Sequence, residues 1–149
     1  MVGVFGVSQV FFANRVVEPF SEIAILGEGM RIGDYPTVVR AGEPFSIYVY
    51  IGNHEGRVMY YSVLIKLGNK STPINSTVPL DAPVILSFDR VLMDGENYTR
   101  KIMLSIDKPG VNYRLVFELW VYDKEAGGLR YHGRFNQLWI NVTKPSGVK

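Results

Sequence analysis

The sequence predicts an all-β protein, an immunoglobulin-like antiparallel β-sandwich of about seven to eight strands without a disulfide. Three observations predict it: apolar and polar residues alternate, turn residues recur at short intervals, and no segment has a convincing helical period. Because the strands have one apolar face, two packed layers are the expected arrangement, with a small closed barrel as the alternative. The clearest alternation runs over residues 112–122, and its apolar face holds Tyr113, Leu115, Phe117, Leu119 and Val121.

The remaining strands are predicted from shorter alternating stretches bounded by glycine, proline, asparagine and aspartate. The two glycines at residues 52–56 can take positive φ and predict a loop, and Asp94-Gly95 and Gly127-Gly128 predict hairpin turns. Three prolines make residues 70–83 a connection or an edge, because proline lacks the amide donor that a central strand needs. Strands are predicted over residues 20–26, 37–40, 45–51, 58–67, 84–92, 98–106, 112–122 and 129–143.

Composition excludes several classes of function. The 149 residues are 47% hydrophobic and 20% charged, which predicts one globular domain. The net charge is +2 and the basic residues are scattered, so no nucleic-acid partner is expected. The chain has no cysteine and two histidines, which excludes thiolate zinc sites, a thiol nucleophile and a three-histidine metal site. Phosphate loops, zinc-protease helices and nucleophile elbows are missing from the sequence, so we predict no enzyme and no cofactor.

The first residues leave three interpretations open. The run Val2–Ala13 is apolar apart from Ser8 and Gln9, but a membrane helix needs about 20 such residues. A signal peptide would carry a positive charge before the apolar run, and none is present. The run is the last part of a membrane helix, an edge strand of the domain, or a strand that pairs with another subunit. We divide the chain into an apolar segment at 1–17, a β-sandwich at 18–143 and a flexible tail at 144–149.

Four sites fit the N-glycosylation pattern: Asn69, Asn75, Asn97 and Asn141. With eight asparagines and fourteen serines and threonines, chance predicts about one match. The first three are expected in turns or connections and the fourth on the outward face of the last strand. The alternative is that asparagine, serine and threonine simply favour turns. The excess favours a glycosylated domain that faces outward.

Two segments are candidate binding surfaces. The loop at residues 53–56 places an imidazole beside a carboxylate, which can bind metal or move protons; alternatively its polar side chains satisfy loop backbone groups. The arm at residues 131–139 combines aromatic rings with arginine, as sugar- and protein-binding surfaces do; alternatively it is a bulged hairpin arm with Gly133 at the bulge. The candidate residues are Asn53, His54, Glu55, Tyr131, His132, Arg134 and Trp139.

Eight short segments carry a resemblance to a known family: residues 19–22, 25–27, 35–36, 42–45, 52–57, 66–69, 112–120 and 131–143. Taken in this order, they resemble the archaeal "domain of unknown function 1616" family of membrane proteins over residues 18–143. The resemblance implies a β-rich domain outside the cytoplasm, preceded by membrane helices of which Val2–Ala13 is the last remnant. It implies no activity, because the family has none assigned.

These observations favour a non-enzymatic, extracytoplasmic module of an archaeal cell-surface protein, membrane-anchored and glycosylated, that serves adhesion or assembly. One alternative is a carbohydrate- or peptide-binding module that uses the aromatic arm at 131–139. Another is a filament subunit that donates residues 2–12 as a strand to a neighbour's sheet. The expected partners are other surface proteins or glycans, a second copy of the chain, and the membrane through residues 1–17.

Overall fold

The computed structural model describes residues 18–145, which form eight strands in two packed sheets and contain no helix. The smaller sheet has the order β1-β3-β6 and the larger has the order β2-β8-β7-β4-β5. Every pair is antiparallel except β2 with β8. The predicted two-layer sandwich is therefore confirmed. Its strands are β1 (Phe20–Leu26), β2 (Val38–Arg40), β3 (Phe45–His54), β4 (Met59–Asn69), β5 (Val84–Leu92), β6 (Asn97–Leu104), β7 (Gly110–Asp123) and β8 (Gly128–Thr143).

The strand predicted most clearly, now β7, lies inside the larger sheet between β4 and β8. Its residues Leu115, Phe117 and Leu119 have no exposed surface, because the smaller sheet packs over this face. Ile47 and Ile51 of β3 lie in the same apolar core. The alternation of this segment was therefore interpreted correctly.

Side chains connect the two sheets along both long edges of the sandwich. Where β5 and β6 approach each other, the guanidinium of Arg90 lies 4.2 Å from the ring centroid of Tyr98. Nearby, the guanidinium of Arg100 lies 5.2 Å from the ring centroid of Phe88. At the opposite edge, the amide of Asn136 in β8 donates to the carbonyl of Ile23 in β1 at 2.7 Å. These contacts join the sheets where no backbone pairing does.

The structure corrects three predicted strand boundaries, the ends of β3 and β4 and the start of β6. Strand β3 continues to His54, so Gly52 and Asn53 belong to a strand and not to a loop, because Gly52 pairs with residues of both β1 and β6. Two predicted glycosylation sites also lie at strand ends: Asn69 is the last residue of β4 and Asn97 the first of β6. The turn signals placed the connections correctly to within a few residues.

The outward face of β7 is covered at its centre. Val116 and Glu118 on this face have no exposed surface. Residues 70–83, here called the strap, fold back over the larger sheet and bury Leu80 next to them. The strap is the predicted connection, but its packing against the sheet was not predicted.

The predictions for residues 1–17 and 146–149, including the apolar run and the donated strand, lie outside the described residues. Within residues 18–145, no helix has the length and hydropathy that crossing a membrane requires.

Candidate functional site

A buried ion pair fixes the strap to the larger sheet. The Nζ of Lys66 lies 2.9 Å from the Oε1 of Glu118, and the two side chains are 9% and 0% exposed. The other carboxylate oxygen, Oε2, accepts the backbone amide of Leu80 at 2.6 Å, and Lys66 donates to the Leu80 carbonyl at 2.8 Å. The indole of Trp120 donates to Oε1 at 3.0 Å. Each buried charge is therefore paired and hydrogen-bonded, as burial requires.

Further contacts hold the middle of the strap. Arg114 donates to the Thr72 carbonyl and Tyr131 donates to the Asn75 carbonyl at 3.0 Å. A Cβ at Gly133, where φ is +101°, would lie 2.5 Å from the carbonyl oxygen of Ser76. Glycine is needed there both for its backbone conformation and for this close approach. Burial, with a smaller effect of the nearby Glu118 carboxylate, raises the pKa of the Tyr131 phenol to about 12.

Beside the strap, an exposed apolar row crosses four strands of the larger sheet. Val91 of β5 pairs with Tyr60 of β4, and Tyr122 of β7 pairs with Leu129 of β8. The rings of Tyr60 and Tyr122 meet edge to face, with centroids 6.4 Å apart. The exposed fraction is 54% for Val91, 42% for Tyr60, 53% for Tyr122 and 44% for Leu129. We call these four residues the exposed row.

The N-terminal end of the sandwich, where β1 begins, brings together one residue from each predicted binding segment. The imidazole of His132 lies 3.3 Å from Oε2 of Glu55, which also accepts a hydrogen bond from Ser21 at 2.6 Å. The Ser21 and Tyr61 hydroxyls are 2.6 Å apart. This cluster joins β1, β4, β8 and the loop after β3, so it locks the end of the core.

Glu55 makes the stability of this end depend on pH. Burial raises its pKa, but hydrogen bonds from Ser21 and His132 and the charges of His132 and Arg57 outweigh burial, so the pKa lies below its ordinary value of 4.5. The ionised form therefore stabilises the fold above the ordinary pKa, and this stabilisation is lost as pH falls through the lowered value.

Glu55→Gln should lower the free energy of unfolding at neutral pH by about 1–2 kcal/mol, the scale of a partly buried, charge-assisted hydrogen bond. The difference from wild type should shrink below pH 4.5, because protonation abolishes the same charge in the wild type. Urea unfolding at several pH values measures it. Glu125→Gln, an exposed carboxylate on the β7–β8 turn, is the control and should change little at any pH. A difference for Glu55→Gln that persists unchanged to pH 3 would contradict the assignment.

The second histidine belongs to a separate cluster on the outside of the smaller sheet. His54 lies 2.8 Å from Oε1 of Glu22, and Tyr50 donates to the same oxygen at 3.1 Å. The ring of Phe20 stacks on that of His54 with centroids 4.7 Å apart. In the other cluster the hydroxyl of Ser21 donates to the carboxylate of Glu55 and not to an imidazole. Within residues 18–145 no three metal-ligating side chains converge.

The other predicted binding residues do not form one surface. Asn53 is fully buried; its amide donates to the carbonyls of Arg57 and Leu92, and its oxygen accepts the amide of Glu55. It is therefore a structural residue. Along the arm at 131–139, alternation points His132 inward but Tyr131 and Trp139 outward. Of the remaining candidates, Arg134 lines a cleft of about 350 Å³ between β1 and β8, and Trp139 lies under the guanidinium of Arg114 at 4.7 Å.

All four predicted glycosylation sites are exposed, but their local structures differ. In the strap, the Oδ1 of Asn75 accepts the amide and the hydroxyl of Thr77, both at 2.9 Å. Asn69 accepts the amide and hydroxyl of Ser71 in the same way. Both turns leave the Nδ2 atom, to which a glycan would attach, outside these hydrogen bonds.

The two remaining sites also lie in strands, as Asn69 does at the end of β4. Asn141 lies in β8 between β2 and β7; its backbone amide donates to Thr37, and its Oδ1 accepts the amide of Asn112. The hydroxyl of Thr143, which completes this site, donates to the carbonyl of Val39 at 3.3 Å. Asn97 pairs with Gly52 at the start of β6.

A family model described as a domain of unknown function, DUF1616, matches residues 15–141, which is most of the chain. This chain belongs to the DUF1616 family. No curated protein matches it.

Solved structures similar to this DUF1616 chain share its fold. A crystal structure of a CARDB domain from Pyrococcus furiosus, in complex with di-metal ions, has a TM-score of 0.53 and 16% identity over 85% of this chain and 90% of that one. A solution structure of the same domain has a TM-score of 0.56 and 15% sequence identity, and the match covers 85% of this chain and 96% of that one. A crystal structure of a β-glucosidase from Listeria innocua has a TM-score of 0.53 and 13% sequence identity. The match covers 85% of this chain but only 16% of that enzyme. These likenesses establish the immunoglobulin-like sandwich.

Proposed function

We propose that this DUF1616 chain is a non-enzymatic, outward-facing β-sandwich module of an archaeal surface protein, anchored to the membrane, glycosylated and used in adhesion or assembly. The observation that carries the proposal is the exposure of all four glycan-acceptor asparagines. Buried asparagines could not carry a glycan in the folded protein, whereas these four can. The sequence holds more such sites than chance predicts, and the fold keeps all of them at the surface.

The exposed row supports a role in assembly. Exposed apolar residues scattered singly are ordinary, but a contiguous group is typical of a surface that contacts another protein. Tyrosine is also enriched in protein interfaces, since its ring offers a large contact area and its hydroxyl a hydrogen bond. Surface-exposed modules that assemble need such a face, and the row offers it without a charged side chain among its four residues.

A catalytic role has little support in the described residues. The Ser21, Glu55 and His132 cluster ties strands together, and Ser21 has no exposed surface through which a substrate could reach it. The ligand-binding alternative is weakened because the arm at 131–139 divides between the two faces of β8. A thermal-shift screen with oligosaccharides tests this alternative. It would be supported if an oligosaccharide raised the melting temperature of the wild type but not that of Trp139→Ala.

Glycan occupancy tests the proposal and should follow the local structure. A modifying enzyme takes its acceptor segment out of a sheet only by breaking backbone hydrogen bonds, which leaves polar groups unpaired. Asn75 lies in a turn of the strap and Asn69 begins a turn at the end of β4, whereas Asn141 lies inside β8, pairs with Val38 of β2 and accepts the amide of Asn112 through its side chain. In a host that glycosylates asparagine, we expect higher occupancy at Asn75 and Asn69 than at Asn141, measured by mass spectrometry of glycopeptides.

The matched control is Thr77→Val, which removes the hydroxyl that the pattern requires and should abolish modification at Asn75 alone. Unmodified asparagine at all four sites would contradict the proposed glycosylated, outward-facing module. Occupancy at Asn141 equal to that at Asn75 would contradict only the predicted order.

A further inference from the structure

We infer that two copies of this chain pair face to face through the exposed row, forming a two-fold dimer. The inference rests on the proposed assembly role and names the partner as a second copy. The row consists of Val91, Tyr60, Tyr122 and Leu129, one from each of four adjacent strands. At about 4.8 Å between strands, it spans about 14 Å.

The order of side chains along the row is symmetric. An aliphatic residue stands at each end and an aromatic residue at each of the two central positions. A two-fold axis parallel to the strands, passing between β4 and β7, would bring Val91 opposite Leu129 of the second copy. The same axis would bring Tyr60 opposite Tyr122. In a two-fold interface the same patch of both copies meets, so this order places aliphatic residues opposite aliphatic residues and aromatic rings opposite aromatic rings.

The surroundings of the row enlarge its apolar face. No residue of the row is itself charged, and the hydroxyl of Tyr60 donates to the exposed carboxylate of Asp89 at 2.6 Å. Val58 and Met93, next to the row toward the N-terminal end, are 55% and 61% exposed and enlarge the apolar face. On the other side the half-buried Trp120 and Tyr131 pack together at 5.6 Å, and the strap limits the contact to this half of the sheet.

The orientation of the axis fits the course of the chain. Strand β1 begins with Phe20, which pairs with His54, and β4 begins five residues after His54. The row thus lies near the end of the sandwich from which residue 18 leads back to residues 1–17. An axis parallel to the strands places this end of both copies on the same side. Two chains attached to one surface could therefore pair without turning either domain over.

Sedimentation equilibrium of the full chain tests the pairing. The mass should rise with concentration from 16.8 kDa toward twice that value. Tyr122→Lys should raise the dissociation constant about tenfold or more, because it places a charge at the centre of the contact. The matched control is Met103→Lys on β6, whose side chain is 55% exposed compared with 53% for Tyr122, and it should behave as wild type.

The absence of cysteine from the chain allows a test of orientation. A mixture of Val91→Cys and Leu129→Cys should form a disulfide-linked pair in air, whereas each variant alone should form far less. A wild-type chain that is monomeric up to about 1 mM would overturn the inference. So would association that Tyr122→Lys leaves unchanged, or variants that link only to themselves. Pairing that persists in a chain whose four acceptor asparagines stay unmodified in the host would overturn the proposed surface role and leave the dimer standing.

Discussion

Glu118→Ala should lower the free energy of unfolding by about 3–5 kcal/mol, because it leaves the buried ammonium of Lys66 without its counter-charge. The substitution also removes the acceptor for the Leu80 amide and the Trp120 indole. Chemical denaturation monitored by tryptophan fluorescence measures the loss. Because the strap depends on this carboxylate, its amides should also exchange hydrogen faster in the variant.

Two controls separate the buried pair from a general effect of losing a charge. Arg130→Ala breaks the exposed contact with Asp123, where the Arg130 side chain is 51% exposed, and should have only a small effect. The double variant Lys66→Met with Glu118→Leu should recover much of the loss, since neither charge is then left alone. If Glu118→Ala and the double variant were equally unstable, the unpaired charge would not be the cause.

Phe117→Ala should cost about 3–5 kcal/mol, the range for removing a large buried ring and leaving a cavity. Phe117 has no exposed surface and lies between the two sheets, where strands on either side prevent collapse around the gap. Thermal and urea unfolding both measure the change. Binding of a small apolar ligand to the cavity would further support this cause.

The same substitution at an exposed position is the control. Phe20→Ala removes a ring that is 37% exposed and stacked on His54, and should cost about 1 kcal/mol or less. Trp120→Ala should also cost less than Phe117→Ala, because the indole is only half-buried. Equal losses at residues 117 and 20 would mean that the core is not centred on β7.

The strands could be predicted because their signal is local. Alternation along β7 and the end of β8 reports which side chains face the core, and Leu138, Ile140 and Val142 are indeed buried. The burial of Val116 and Glu118 on the other face of β7 was not predicted. Alternation describes one strand by itself, and it carries no information about a distant segment that folds over that strand.

The candidate sites show the same limit. His132 and Glu55 were both singled out, yet their contact joins residues 77 positions apart and could not be inferred from either segment. Tyr60 and Tyr122 were not singled out at all. A possible signal was present, since each is an aromatic residue on the polar face of a predicted strand, but only the register shows that they are neighbours.

The amino-acid sequence by itself determined the all-β class, the positions of most turns, the apolar faces and the four asparagines that fit the glycosylation pattern. These properties depend on residues close together in the chain, whose backbone preferences and side-chain period act locally. Only the tertiary structure decided the packing of the strap, the pairing of Lys66 with Glu118 and the order of the exposed row. Each depends on strand order and register, which are set by how all the apolar faces are buried together.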